Sequence, residues 1–165
     1  MLDTVVQNFC NWLGNTPVSV WIQTANWVIP WSQSIHIMAI SLLAGVMLRM
    51  DARLLGVFGR NQSVAEMADR YMPWLWRLLL VALCTGIIQT VAEPTRQLMN
   101  PSFRWKMFLL VIVLTLTMLF VRQVRKNAIG WDNLPTSYGA KLIALVSIGC
   151  WISIILLGRW IAYTQ

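Results

Sequence analysis

Four stretches of the chain stay apolar for long enough to cross a bilayer, at residues 28–48, 74–92, 103–121 and 140–162. A hydrocarbon layer of about 30 Å takes roughly 20 helical residues. Helices satisfy their own backbone in lipid, and nothing here alternates as barrel strands do. The pattern therefore predicts an all-α integral membrane four-helix bundle, with residues 1–165 as a single transmembrane domain. Residues 4–22 are also apolar, but Asn8, Asn11, Gly14 and Asn15 interrupt them. They read as a short interfacial helix rather than a span.

The polar stretches between the spans carry local signals. Residues 49–73 hold Arg49, Asp51, Arg53, Arg60, Glu66, Asp69 and Arg70, and the run SVAE at 63–66 reads as a capping box for a short surface helix. Pro73 is expected to break that helix before the second span. Asn100 is placed to cap the third helix, with Pro101 at its first position. Gly130, Pro135 and Gly139 mark turn points in the third connection.

Composition agrees with lipid as the solvent. Hydrophobic residues make up 58% and charged residues 12%, where soluble domains carry about a quarter charged. The net charge of +7 does not mark a nucleic-acid binder, because no basic block is long enough for an arm. The cations lie between the apolar runs, where they set orientation. Arg49, Arg53, Arg60, Arg70, Arg122, Arg125, Lys126 and Lys141 fall on one side; Arg96, Arg104, Lys106 and Arg159 fall on the other. The positive-inside rule puts the first group in the cytoplasm. Both termini of what reads as a bacterial inner-membrane protein are then periplasmic. Ten Trp fit interfacial belts. The run MLDTVVQNFCNW lacks the basic start and cleavage site of a secretory signal. Cys10, Cys84 and Cys150 form no CxxC pattern, which argues against a disulfide framework, a zinc ribbon or covalent haem. Cys84 and Cys150 read as small packing residues.

The first span contains the one histidine of the chain, His36. Eight residues at 1.5 Å each put it about 12 Å into the helix from Val28. Ser32 and Gln33 lie one turn earlier on the same face, and such a polar stripe belongs against helices, water or a ligand rather than lipid. Gln89, Thr90 and Glu93 close the second span, Arg104 and Lys106 open the third, and Arg159 and Tyr163 close the fourth. Alternating topology brings these ends together, which predicts one polar cluster with His36 at its floor. His36 could bind a metal or haem there, or simply hydrogen-bond Gln33, Gln89 or a carbonyl. Arg104 and Lys106 could clamp an anion such as a haem propionate or lipid phosphate, or snorkel to the interface. Met99 and Met107 are the methionines placed to act as soft ligands. The spacings Ser41 to Gly45 and Gly149 to Ser153 predict close helix contacts. No GxSxG, P-loop or HExxH occurs, so an enzymatic role has no motif behind it.

The runs SIHIMAISLLAGVMLRMDARLLG, NPSFRWKMFLLV and GRWIAY resemble a family of uncharacterised four-helix bacterial inner-membrane proteins over nearly the whole chain. Trp27, Pro30, His36, Gly45, Asp51, Arg53 and Gly56 carry that resemblance. More distantly, the first helix and Lys106 are similar to the copper-resistance D membrane domain and to J-type, haem-containing protoporphyrinogen oxidase. That resemblance implies haem b or copper on His36, with Gln33 beside it, Lys106 as a functional lysine, and a redox or cofactor-handling role. Those groups use another histidine, often on the third helix, where this chain has Thr115, Thr117 and Phe120. The remaining readings are a non-enzymatic subunit of a larger membrane complex or a homo-oligomer, and a small proton-linked transporter using His36 and Glu93.

Overall fold

The computed structural model describes residues 2–57, 64–126 and 138–161. Ser63 of the expected capping box, Arg60, Gly130, Pro135 and Tyr163 lie outside them. The described residues form seven helices: α1 (Leu2–Gly14), α2 (Pro17–Thr24), α3 (Val28–Leu54), α4 (Val64–Ala92), α5 (Pro94–Leu98), α6 (Pro101–Lys126) and α7 (Tyr138–Trp160). Four of them, α3, α4, α6 and α7, are long and apolar enough to cross a membrane. The chain is a multi-pass membrane protein.

The spanning helices run longer than the apolar stretches. Residues 49–54 continue α3, and α4 passes through Pro73 without a break. The expected stop at Pro73 fails because its ring sits on the exposed side of α4, and a membrane helix tolerates the one missing donor. Gly139, expected as a turn point, lies in the first turn of α7. The stop of α3 comes instead at Gly56, with φ 72°. Its N–H donates to Arg53 O at 3.0 Å and the N–H of Val57 donates to Ala52 O at 3.0 Å, a glycine C-cap that needs the left-handed region.

The N-terminal segment is two helices rather than one. Thr16 caps α2 by accepting from the N–H of Ser19 at 3.3 Å, with Pro17 in the first position. Both helices turn apolar side chains outward, Val5, Phe9 and Trp12 from α1 and Val18 and Trp21 from α2, as expected for helices lying in an interface. Ser19 fastens α2 to the end of α4. Its hydroxyl donates to Val91 O at 2.7 Å, and Gln23 Nε2 donates to Ala92 O at 2.8 Å. These carbonyls belong to the last turn of α4, where helical donors run out. Ser19→Ala is expected to cost about 1 kcal/mol and to raise amide exchange in α2 while leaving the four spans unchanged.

The core lies between α3 and α4 and between α6 and α7. Leu43, Met47, Leu75, Val113, Trp151 and Ile154 are among its buried side chains. The small-residue spacings do not build it. Gly45 and Gly149 are exposed and have no neighbour within contact reach of an added Cβ. The small apolar residues of α3 that are buried are Ala39 and Ala44 instead. Cys84 is likewise exposed, a correction to its reading as a packing residue, whereas Cys150 is half-buried against the core. Asn100 does cap α6, accepting from the N–H of Ser102 at 2.9 Å.

Candidate functional site

A cavity of about 330 Å³ opens between α3, the end of α4, α5, the start of α6 and the end of α7. His36 lies in its wall. His36 Nδ1 is 2.9 Å from Thr85 Oγ1. The Thr85 hydroxyl donates to Val81 O at 2.8 Å and is also 3.1 Å from Ala82 O. A hydroxyl has a single proton, and here the helix backbone takes it. With its proton on the helix backbone, Thr85 accepts from the Nδ1–H of His36, in the tautomer that keeps a lone pair on Nε2. A ring nitrogen held by a hydrogen bond, with the other nitrogen basic, is the arrangement found in histidines that ligate metals.

The imidazole is seated against Gly86, where an added Cβ would lie 3.4 Å from Cε1. A single methyl fits at that distance, and a branched side chain does not. Gly86→Ala is therefore expected to stay within about 1 kcal/mol of the parent, while Gly86→Val should cost about 1–3 kcal/mol by pushing the ring away. Thermal unfolding in detergent separates the two, and equal midpoints would contradict this seating.

Lys106 of α6 reaches the same cavity across α7. A Cβ at Gly158 would lie 3.5 Å from its Nζ. Among the described residues no carboxylate pairs with this ammonium. Glu93, at the bend between α4 and α5, is taken by Arg96, whose Nη1 is 2.8 Å from Oε2. The lining thus holds three cationic side chains, Arg96, Lys106 and Arg159, against one carboxylate, Glu93. Gln33, Gln89 and Gln97 add neutral donors and acceptors. Ile37, Ile40, Ile154, Ile155 and Ile161 make the apolar wall. Ile37 and Ile155 are also exposed, so the wall runs out onto the face that lipid covers.

Most of the expected cluster assembles here: Gln33, His36, Gln89, Glu93, Lys106 and Arg159 all line the cavity. Arg104 does not. Its Nη2 lies 3.4 Å from Asp3 Oδ1 and its Nε donates to Leu98 O at 3.2 Å, because it starts α6 on the side facing α1. Ser32 is buried but turns its hydroxyl back to Ile29 O at 3.0 Å. Thr90 does the same to Gly86 O at 2.8 Å. Met99 and Met107 are absent from the lining. Sequence reading missed Thr85, Arg96 and Gln97. Thr85 was detectable, standing one turn before Gln89 on the same helix face. Arg96 and Gln97 sit on α5, a short helix that starts at Pro94 after a non-helical Glu93 and that hydropathy alone does not reveal.

A neighbouring cleft of about 690 Å³ is lined by residues of α1, α2 and the α4–α5 bend, among them Asn11, Asn15 and Gln23. Glu93 and Arg96 line both spaces, so their ion pair stands between the cleft and the His36 cavity.

A family described as a family of unknown function, DUF6644, matches residues 8–164. No curated protein and no solved structure matches the chain.

Proposed function

The chain belongs to this family of unknown function, and we propose that it binds an amphipathic anion drawn from the bilayer, haem b foremost, for a redox or cofactor-handling role. One observation carries the reading. A histidine hydrogen-bonded at Nδ1 and an ammonium with no carboxylate partner among the described residues share an apolar trough that opens toward lipid. The trough's volume falls within the range of small-molecule sites, about 300–1,000 Å³.

The residues fit a haem better than a copper ion. Copper sites gather several nitrogen or sulfur donors. The lining contains no Cys and no Met, and no group of three His, Cys, Asp or Glu occurs among the described residues. His36 would hold a haem through its ring nitrogen, and Lys106 and Arg159 would meet the propionates. Gln33 and Gln89 would hydrogen-bond at the rim, and the isoleucines would pack the macrocycle. When bound, the haem would supply one-electron chemistry. A second histidine ligand would have to come from outside this chain, since His36 is its single histidine.

The positive-inside rule supports an orientation with the cavity end and both termini periplasmic in a bacterial inner membrane. Titration of haemin into the detergent-purified protein tests the reading. A saturable rise in haem absorbance at one haem per chain is expected. A linear, unsaturable response would contradict it and favour a packing subunit of a larger membrane complex.

A further inference from the structure

We propose a second site at the opposite end of the bundle, where Asp51, Thr117 and Ser147 hold one small monovalent cation, with sodium the best match. Asp51 stands fifteen residues beyond His36 on α3, about 22 Å along the helix axis, so this site is separate from the cavity above.

A cavity of about 20 Å³ lies between α3, α6 and α7, lined by those three residues and by apolar side chains such as Met50, Leu54 and Phe120. Asp51 is 4% exposed and Ser147 is 5% exposed. Ser147 is the near polar neighbour of Asp51, but neither Asp51 Oδ2 nor Ser147 Oγ makes a hydrogen bond of full geometry with any side chain or backbone group. Buried polar atoms of this kind are rare and call for an explanation. The space is large enough for one guest of water size, which needs about 10–15 Å³ on the same measure.

The lining decides what that guest is. Thr117 Oγ1 donates to Val113 O at 2.8 Å, so it offers the cavity lone pairs only. An ionised Asp51 can only accept. The occupant must therefore donate or be a cation. No Lys or Arg lines the cavity, and a buried carboxylate oxygen facing no positive charge or donor is strongly unfavourable. Carboxylate and hydroxyl oxygens are the ligands of hard cations. A single carboxylate balances a single positive charge, which selects a monovalent ion, and the small volume selects a small one.

Thermal unfolding of the purified protein in sodium chloride, potassium chloride and choline chloride at equal ionic strength tests the proposal. Sodium is expected to raise the midpoint by about 4 °C at saturation, with choline giving no rise. Asp51→Asn should abolish the difference between salts. If that variant does not fold, Ser147→Ala takes its place and should reduce the rise. Equilibrium dialysis with radiolabelled sodium should give one ion per chain. Equal midpoints in sodium and choline would overturn the proposal and leave the cavity to water, or to a proton on Asp51. An undiminished sodium effect in the variants would overturn it equally.

Discussion

His36→Ala is expected to weaken haem binding by at least about a hundredfold while the protein still inserts and folds. Removing a partner that merely orients a ligating histidine already costs about 10–100-fold, and this substitution removes the ligating atom itself. The fold should survive because the His36 ring is tied to α4 only locally, at Thr85 and the Ala82 carbonyl, and such bonds average about 0.6 kcal/mol each. The alanine also leaves Thr85 its backbone acceptor at Val81, so no buried hydroxyl is orphaned. Haemin titration of parent and variant, with circular dichroism on the same samples, reads both halves of the expectation. Equal affinity in the two proteins would place the haem elsewhere. A variant that fails to fold would make His36 a packing residue first.

Trp151→Ala should produce the largest loss of stability available from a single side chain, about 3–5 kcal/mol. Trp151 is 1% exposed, the bulkiest of the fully buried residues, and packs in the cluster shared by α3, α4, α6 and α7. In lipid the driving force between helices is close packing rather than escape from water, so the lost contacts dominate. Trp151 Nε1 also lacks a hydrogen-bond partner. Trp151→Phe keeps a ring in the core and deletes that orphaned donor, so it should cost far less than the alanine. Unfolding in mixed detergent micelles ranks the three proteins. Similar losses for Phe and Ala would show that the ring's packing is not what the core depends on.

The spans were legible because a bilayer sets one simple rule, a run of apolar residues of fixed length, and α3, α4, α6 and α7 obey it. Their full extents were not. Residues 49–54 and 64–73 are polar and helical at once, and hydropathy cannot distinguish a charged helical extension from a loop. Pro73 misled for the same reason, since its effect depends on which side of α4 it faces. Asn100 was legible because an N-cap needs only local residues. The small-residue spacings were not informative, because Gly45 and Gly149 are exposed and meet no neighbour among the described residues.

The site divides in a similar way. Alternating topology alone was enough to bring His36, Gln89, Glu93, Lys106 and Arg159 to one end. What topology could not give was rotation about each helix axis. Arg104 and Lys106 are two residues apart and so face different ways, one toward Asp3 and one into the cavity. The bond between His36 and Thr85 depends on the register between α3 and α4 and was out of reach of a single sequence. So was the distant cavity at Asp51, which requires three helices to leave the same small gap.

The most direct test of a haem-binding His36 cavity is a reduced-minus-oxidised absorption spectrum of the protein purified from its own membranes, with haem assayed on the same sample. The account predicts a b-type spectrum at one haem per chain, lost in His36→Ala. A colourless protein whose spectrum stays flat after incubation with haemin would contradict it.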